Sequence, residues 1–417
     1  MSSRLPVDAD RLWEDIIALA AISDPERPYT RRSFTPLYQQ GREWLRGRFL
    51  EAGLEVRIDA AGNLIGRRAG ADPGRKAIVL GSHSDTVPSG GRFDGIAGVI
   101  AALETARSLK DAGVVLRRPL EVVDFLAEEP SEFGLSCVGS RGMAGVLESS
   151  MLALKGPGNE ALSDALRRVG GDPSRLGEAK REDVGAFLEL HIEQGVVLES
   201  EGVDVGVVTS IVGIRRMEIV FEGEADHAGT TPMNLRRDAL VAAARTVDSV
   251  RRAADTLAAE GGDYFVATVG ILDVSPSASN VVPGSSRLVI DARSTSPEMT
   301  RRFVERIDRE SADHAGAAGV SRTRLAVLSD GPPAACDPAL RAELRHAAEH
   351  LSFSARELAS GAGHDAAFMT RICPAAMIFT PCRAGKSHAP EEWADREALA
   401  AGAAVMFETV CAIDRTL

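Results

Sequence analysis

Residues 77–95, AIVLGSHSDTVPSGGRFDG, determine how the rest of the chain is interpreted. They start as a continuously apolar run, which is typical of a parallel strand buried on both faces. A polar, glycine-rich turn follows, and a helical pattern then extends over 94–112. This order predicts a strand–turn–helix unit with His83 and Asp85 at the carboxyl end of the strand, where open α/β sheets bind their ligands.

Segments on both sides of this unit have the same texture. Short β-rich runs at 54–59, 120–126 and 186–191 alternate with helical patterns. Thr35 as N-cap, Pro36 in the first turn and Gly53 as terminator mark one helix clearly. The alternation predicts an α/β fold with a mainly parallel sheet.

From about Gly213 the pattern changes to that of an α+β unit. We expect a strand at 215–223, a helix at 238–257, strands at 264–272 and 286–293, a helix at 297–312 and a strand at 323–328. This order is that of a ferredoxin-like unit. Because α/β texture returns after Pro332 and Pro333, we predict that 212–328 is a domain inserted between two parts of the first one, 1–211 and 329–417.

Composition and charge exclude several classes of protein. With 417 residues the chain is longer than one core usually organises. A net charge of -12 disfavours a nucleic-acid partner, and the absence of an apolar run of about 18 residues disfavours a membrane span. Five cysteines without a CxxC pair and an acidic, amphipathic start predict a reduced, cytoplasmic protein.

Five of the eight histidines lie in segments where sites tend to be built. They follow apolar strands or lie in Gly-, Ser- or Thr-rich stretches: His83, His191, His227, His364 and His388. The other three lie in polar helical sequence, which is typical of a solvated surface. For His364 a structural role is preferred over a substrate-side one.

Carboxylates accompany these histidines at the ends of strands. Glu128 and Glu129 come directly after an apolar strand, where two adjacent carboxylates are costly unless cations compensate them. Asp94 lies at a helix start, where an ordinary N-cap is the alternative interpretation. His191 ends one strand and His388 follows another, AAMIFT at 375–380. Together, these strand ends predict a metal site.

The donor types indicate which metals and which chemistry to expect. Carboxylates and imidazoles without thiolates suit zinc, manganese or cobalt, and a shared Asp suits two ions about 3.5–4 Å apart. Such a pair polarises a carbonyl and lowers the pKa of a water. A free carboxylate beside it can take a proton from water and give it to a leaving nitrogen.

Eight motifs in one order resemble the hydantoinase/carbamoylase group of the dinuclear zinc aminoacylase and carboxypeptidase superfamily. They span nearly the whole chain: GSHSDTVPSGGRFDG (81–95), AEEPSEFGLSCVGSRGMAG (127–145), LELHIEQG (188–195), EADHAGTTPMNLRRDA (224–239), SASNVVPG (277–284), IDAR (290–293), SGAGHDA (360–366) and GKSHAPEE (385–392). The resemblance implies a zinc-hydrolase catalytic domain of the α/β class with an inserted ferredoxin-like dimerisation or lid domain, and a homodimer.

The resemblance also implies roles for residues of the catalytic domain. It assigns two divalent cations, zinc first and manganese, cobalt or nickel as alternatives. One cation is held by His83, Asp94 and His191, and the other by Asp94, Glu129 and His388. Asp85 lies behind His83, and Glu128 is the general base.

A second set of residues is implied to recognise the substrate. Arg293 offers a planar fork for a substrate carboxylate, Asn280 and Gln194 can pair with amide or ureido groups, and His227 can stabilise an oxyanion. Several positions depart from the family pattern: Pro130, Glu132, Asp226 and Lys386. None is an implied metal ligand, so these departures bear on the substrate.

The expected reaction is hydrolysis of the ureido C–N bond of a small molecule, an N-carbamoyl-L-amino acid, to amino acid, carbon dioxide and ammonia. Allantoate amidohydrolase and β-ureidopropionase activities are the nearest alternatives. A dipeptidase or aminoacylase is more distant, because the position of His191 is commonly a carboxylate in the related peptidases. A non-catalytic binding homologue is disfavoured by the presence of Glu128.

Overall fold

The computed structural model describes residues 5–416. Its strands are β1 (Glu55–Ile58), β2 (Leu64–Arg68), β3 (Ala77–His83), β4 (Leu120–Phe125), β5 (Val184–Ile192), β6 (Val205–Ile211), β7 (Gly213–Glu222), β8 (Asp226–His227), β9 (Phe265–Ser275), β10 (Val281–Val282), β11 (Ser285–Ser294), β12 (Ser321–Gly331), β13 (Ala334–Ala335), β14 (Ala355–Ser360) and β15 (Ala375–Thr380).

The α-helices of the described residues are α1 (Ala9–Ala21), α2 (Pro36–Glu51), α3 (Ile96–Asp111), α4 (Val138–Met143), α5 (Ser149–Leu152), α6 (Leu162–Arg168), α7 (Leu176–Ala179), α8 (Val197–Glu201), α9 (Ala239–Glu260), α10 (Pro297–Ala317), α11 (Pro338–His350), α12 (Ala366–Met369) and α13 (Arg396–Thr416). None of them combines enough length and apolar character to cross a membrane.

The larger sheet has the strand order β1-β2-β4-β3-β5-β15-β6-β13, with β14 beside β6. Its four central strands, β4, β3, β5 and β15, run parallel. The predicted α/β class with a mainly parallel central sheet is therefore confirmed. The pairings of β1 with β2, β2 with β4 and β15 with β6 are antiparallel, which the alternation of patterns did not distinguish. Every residue of β3, β4 and β15 is buried, so both faces of the sheet are covered there.

Parallel pairing aligns the carboxyl ends of the central strands. His83 at the end of β3 is paired with Phe125 at the end of β4, and His191 near the end of β5 is paired with Phe379 near the end of β15. Segments that leave these four strands thus start at one edge of the sheet. This edge carries the candidate site.

The starts of two helices differ in how far local sequence predicts them. The predicted helix after Thr35 is α2, and the Thr35 hydroxyl accepts a hydrogen bond from the amide of Tyr38 at 3.2 Å. The helix predicted at 94–112 is α3, which starts later because Gly95, with a φ of +65°, is its N-cap. Asp94 therefore does not cap this helix, and its carboxylate is free for other contacts.

The second sheet is antiparallel with the order β12-β7-β11-β9. In sequence order its strands read fourth, first, third and second, and α9 and α10 follow the first and third of them, as the predicted ferredoxin-like unit requires. Met217, Ile219 and Phe221 of β7 pack with both helices in one core. The helix predicted at 297–312 extends further as α10, and a small ribbon of β8 and β10 accompanies the sheet.

The chain divides into two compact units. Unit 1 is Met1–Thr209, Ala335–Ser360 and His364–Leu417, and unit 2 is Ser210–Ala334 with Gly361–Gly363. The domain boundaries predicted from the sequence, 211/212 and 328/329, stay a prediction.

Candidate metal centre

Five candidate ligands come together in unit 1, in two groups that share Asp94. One group is His83, Asp94 and His191, and the other is Asp94, Glu129 and His388, with the ligand atoms of each group within 4.8 Å of one another. Oδ1 of Asp94 lies 3.1 Å from Nε2 of His191 and 3.7 Å from Nε2 of His83. Its other oxygen, Oδ2, lies 2.9 Å from Nε2 of His388. The two carboxylate oxygens thus face different groups.

The buried imidazoles are oriented by backbone carbonyls. Nδ1 of His83 lies 3.0 Å from the carbonyl oxygen of Asp85, and Nδ1 of His191 lies 2.9 Å from that of Ile192. Because a carbonyl oxygen only accepts, Nδ1 of each ring is the donor in this contact, and Nε2 is the nitrogen turned toward Asp94 that a metal could bind. The amide of Gly95, 3.3 Å from Nε2 of His191, donates to the same nitrogen. Imidazoles fixed in this way are typical of metal ligands.

These imidazoles also face an excess of negative charge. Burial acts to lower the pKa values of His83 and His191, but neighbouring carboxylates outweigh it and hold both pKa values above the ordinary one. Hydrogen bonds to Asp94 and Glu129 raise the pKa of His388 to about 10. Because a metal competes with the proton for the same nitrogen, a site that attracts protons this strongly also fits divalent cations.

Gly95 is the residue that permits this arrangement. A Cβ added here would lie 2.4 to 2.5 Å from three atoms of the His83 ring, and its φ of +65° is one that L side chains rarely adopt. Glycine at this position therefore allows the turn before α3 to place Asp94 next to the imidazoles of His83 and His191.

Replacing Gly95 by alanine is therefore expected to lower both the stability and the metal content of the protein. Backbone strain alone costs about 1–3 kcal/mol, and the His83 ring must also move. Thermal unfolding and metal analysis of the purified variant measure the two effects. Gly47→Ala in α2, where an added Cβ meets nothing within 4 Å, is the control and keeps both properties. Wild-type metal content in Gly95→Ala would show that His83 is not needed where it lies.

Glu128 lies beside the two groups but belongs to neither. Its Oε2 is 3.6 Å from Nε2 of His83, and the Cys137 thiol lies 3.5 Å from its Oε1. Burial raises the pKa of Glu128 well above its ordinary value; His83 opposes this shift and Glu129 adds to it. Ala127, which precedes Glu128, has a φ of +52°. A positive φ at a residue other than glycine marks a strained backbone conformation.

Asp85 organises the backbone of both glutamates. Its Oδ1 accepts a hydrogen bond from the amide of Glu128 at 3.2 Å, and its Oδ2 accepts one from the amide of Glu129 at 3.3 Å. Its carboxylate lies 3.6 Å from Nδ1 of His83, farther than its carbonyl oxygen. The carboxylate is thus behind His83, while the direct contact with the ring comes from the backbone.

Sequence reasoning missed two residues next to the shared carboxylate. Ser387 and the fully buried Glu392 lie in the same segment as His388. Gln194 donates hydrogen bonds from Nε2 to Oδ2 of Asp94 at 3.2 Å and to the Ser387 hydroxyl at 3.0 Å. The only available signal was their membership of the motif at 385–392, in which two adjacent glutamates look equivalent.

His364 and Lys386 differ in their relation to the site. His364 is buried, its Nε2 is 2.8 Å from the Ser360 hydroxyl, and its ring packs edge-on at 4.6 Å from the centroid of His191. Burial is the main cause that lowers its pKa, so it stays neutral. The structural role preferred from the sequence for His364 stays a prediction. Lys386 is exposed.

Unit 2 holds the other three residues of the implied recognition set. His227 on β8 is paired with Val281 on β10, and the carbonyl oxygen of Asn280 accepts from the Ala228 amide at 2.9 Å, which brings His227 and Asn280 together on one ribbon. The exposed His227 ring accepts at Nδ1 from the Gly229 amide at 3.0 Å. Arg293 on β11 donates from Nε to Asp291 at 2.8 Å and from Nη1 to the carbonyl of Gly361 at 3.0 Å.

The sequence and the fold both match known proteins. Residues 79–412 match the model of peptidase family M20/M25/M40. The chain belongs to this family. An N-carbamoyl-L-amino-acid amidohydrolase of Paenarthrobacter aurescens is 41% identical over 410 residues, which cover 98% of each protein. A ureidoglycolate hydrolase of Oryza sativa subsp. japonica is 38% identical, over 97% of this chain and 84% of that protein.

Solved structures place the chain more narrowly within family M20/M25/M40. A hydantoinase/carbamoylase family amidase from Burkholderia multivorans superposes with a TM-score of 0.87 at 36% identity, covering 97% of this chain and 98% of that one. The resemblance found in the eight ordered motifs is therefore confirmed. As a member of this metal-dependent family, the protein is a hydrolase that acts on carbon–nitrogen bonds.

Proposed function

We propose that the protein hydrolyses the ureido C–N bond of an N-carbamoyl-L-α-amino acid, with release of the free amino acid, carbon dioxide and ammonia. The observation that carries the proposal is the placement of Asp94 between two groups of metal-ligand type, with Glu128 free beside them. Full-length similarity to an N-carbamoyl-L-amino-acid amidohydrolase supports the choice of substrate class.

We propose two divalent cations, zinc first, with manganese, cobalt or nickel as alternatives. His83, Asp94 and His191 would hold one, and Asp94, Glu129 and His388 the other. When bound, such a pair supplies Lewis acidity that polarises the ureido carbonyl and makes a water easier to deprotonate. The division of the two Asp94 oxygens between the groups supports a bridging role for this carboxylate.

Glu128 would carry the proton in this reaction. As the attacking water adds its oxygen to the ureido carbon, the Glu128 carboxylate takes one of its protons and then delivers it to the nitrogen that leaves. The carbamic acid that remains loses carbon dioxide, which breaks the second C–N bond and releases the other nitrogen. Burial raises the pKa of Glu128, which makes its carboxylate a stronger base toward the water. Glu128 lies 3.6 Å from His83 but belongs to neither candidate ligand group, which leaves it available for this task.

Four residues would recognise the substrate. Arg293 would bind the α-carboxylate, Asn280 and Gln194 the ureido group, and His227 the developing oxyanion. Asp291, which accepts from Nε of Arg293, fixes the plane of the guanidinium and leaves Nη2 for a ligand.

Replacing Arg293 by alanine is expected to raise KM for N-carbamoyl amino acids by about 10- to 100-fold, because one charge-assisted interaction of about 1.5–3 kcal/mol is lost. Steady-state kinetics measure this effect, and kcat changes much less. Arg287→Ala on the same strand, whose guanidinium pairs with Glu218 and Asp273, is the control. An unchanged KM in Arg293→Ala would remove Arg293 from the recognition set.

A second candidate substrate is a ureido acid of another type. Similarity to a ureidoglycolate hydrolase over 97% of this chain favours ureidoglycolate, and allantoate and N-carbamoyl-β-alanine share the same ureido group. All of them require a carboxylate site and an activated water, so the substrate assay includes each of them.

The experiment that tests the proposal measures ammonia and free amino acid together. Chelator-treated protein is reloaded with zinc, manganese, cobalt or nickel and offered N-carbamoyl amino acids, N-carbamoyl-β-alanine, ureidoglycolate, allantoate, acetylated amino acids and dipeptides. Metal-restored release of ammonia with amino acid from the N-carbamoyl compounds is the expected result. Release of amino acid from acyl or peptidyl substrates alone, without ammonia, would show that the protein acts as a peptidase or aminoacylase.

We also propose a cytoplasmic homodimer assembled through unit 2. Its sheet ends in the two edge strands β9 and β12, which expose large apolar side chains. They are Val266, Ile271, Leu272, Leu325, Val327 and Leu328. The five free cysteines agree with a reducing compartment.

Light scattering at micromolar concentration is expected to report about twice the chain mass of 44.2 kDa. A charge on an edge strand, as in Leu272→Asp or Leu325→Asp, should shift this value toward the monomer. Val115→Asp, which alters an exposed apolar residue of unit 1, should leave it unchanged. A wild-type protein that scatters only as a 44.2 kDa species would contradict the dimer.

A further inference from the structure

Glu392 is a buried carboxylate that joins two segments of the candidate metal centre. Its Oε1 accepts hydrogen bonds from the amides of Phe93 at 2.7 Å and Asp94 at 3.1 Å. Its Oε2 accepts one from the hydroxyl of Ser387 at 2.8 Å. The turn before α3 and the segment that carries His388 are therefore held together by one side chain.

The surroundings are shaped for this carboxylate. A Cβ added to Gly91 would lie 2.1 Å from Oε1 of Glu392, so the turn approaches the carboxylate more closely than any other residue would allow. Glu392 is fully buried, and among residues 5–416 no Lys or Arg side chain pairs with its carboxylate; the Arg92 guanidinium donates instead to its backbone carbonyl at 3.0 Å. Burial of a charge without a counter-charge is costly, and the three donors offset only part of that cost.

The direction of the Ser387 hydroxyl explains why a carboxylate is needed. Nε2 of Gln194 donates to the oxygen of Ser387 at 3.0 Å, so the single hydroxyl proton must go elsewhere. Two acceptors lie within reach, Oε2 of Glu392 at 2.8 Å and Oδ2 of Asp94 at 3.4 Å. The shorter distance indicates that the Ser387 hydroxyl donates its hydrogen bond to Glu392.

With the Ser387 hydroxyl directed to Glu392, one lone-pair direction of Oδ2 of Asp94 stays free. Oδ2 of Asp94 already accepts from Nε2 of Gln194 at 3.2 Å and faces His388 at 2.9 Å. A carboxylate oxygen has two lone-pair directions in its plane. With Gln194 on one of them, the other stays open toward His388 as long as the Ser387 proton points to Glu392.

We propose that Glu392 is a positioning residue that keeps Oδ2 of Asp94 available for the cation on the His388 side. It does so by accepting hydrogen bonds from the Ser387 hydroxyl and from the backbone amide of Asp94. This inference rests on the proposed pair of cations. We expect Glu392 to affect only one of the two cations. The Ser387 hydroxyl competes for Oδ2 of Asp94, whereas Oδ1 faces His83 and His191.

Glu392→Gln tests the inference because it keeps the shape of the side chain. Its amide oxygen must stay toward the Phe93 and Asp94 amides, so its NH2 group faces Ser387. Ser387 then receives two donors, from Gln194 and from the new amide, and its own proton turns to Oδ2 of Asp94. We expect one of the two bound cations to be held about 10- to 100-fold more weakly, while the thermal midpoint of the chelated protein stays near that of the wild type.

The double variant Glu392→Gln/Ser387→Ala separates this cause from a general loss of structure. Removing the hydroxyl removes the competing proton, so the second cation is expected to return to near wild-type affinity. Glu391→Gln, at the exposed neighbouring position, is the control and binds both cations normally. Adding Glu392→Gln to His388→Ala should cause no further loss, since both changes act on the same ion.

Metal content after dialysis against graded chelator concentrations is the measurement. Two tightly held cations in Glu392→Gln, or a double variant as weak as the single one, would overturn the role of Glu392 while leaving the proposed function intact. A wild-type protein with fewer than two cations would instead overturn the cation pair, and the inference with it.

Discussion

Glu128→Gln is expected to reduce kcat by about 10²- to 10⁴-fold, the usual contribution of a positioned proton carrier, and to leave the metal content unchanged. The reason is geometric. Glu128 contributes no atom to either candidate ligand group, whereas its neighbour Glu129 lies 3.2 Å from Nε2 of His388. An amide at position 128 has nearly the shape of the carboxylate but cannot take a proton from water.

The measurement combines steady-state kinetics with elemental analysis of the same preparation. Glu148→Gln, at an exposed position in unit 1, is the matched control and keeps both kcat and metal. If Glu128→Gln lost a cation while Glu129→Gln kept both, the two adjacent glutamates would have the opposite roles. A Glu128→Gln enzyme with wild-type kcat would exclude it as the proton carrier.

Asp94→Ala is expected to lose both cations and at least about 10³-fold in rate, since the Lewis acidity of the pair accounts for several kcal/mol of transition-state stabilisation. Each Asp94 oxygen faces a different group, so this one change removes a ligand from both. His388→Ala removes a ligand from one group only and should keep one cation.

Metal stoichiometry of the three proteins is therefore graded: two cations in the wild type, one in His388→Ala and none held tightly in Asp94→Ala. Asp111→Ala, which removes an exposed carboxylate paired with Arg11, serves as the control. Two cations in Asp94→Ala would show that this carboxylate does not bridge. Equal losses in Asp94→Ala and His388→Ala would indicate a single site.

Local sequence was sufficient for several elements and for the choice of the five candidate ligands that lie together. The apolar run of β3, the capped start of α2 and the strand–helix order of unit 2 depend on periodicity and on capping, which neighbouring residues determine. The candidate ligands were found for a related reason. Parallel strands align their carboxyl ends, so His83, His191 and the glutamates after β4 had to meet once the sheet was mainly parallel.

Contacts between distant segments determined the rest. The identity of the α3 N-cap, Gly95 instead of Asp94, depends on how closely the turn approaches the His83 ring. The antiparallel edges of the large sheet depend on which strands lie side by side, which the alternation of patterns does not specify.

The clearest case is the pair Glu391 and Glu392. The chain by itself determined that a histidine followed by two glutamates would lie after β15, at the edge where the other candidate ligands gather. Only the tertiary structure decided that Glu391 is exposed and that Glu392 is buried against Phe93 and Asp94, about 300 residues away in the chain. The physical reason is that burial and hydrogen-bond partners of a side chain depend on packing between segments far apart in sequence, whereas helices, strands and turns depend mainly on neighbours.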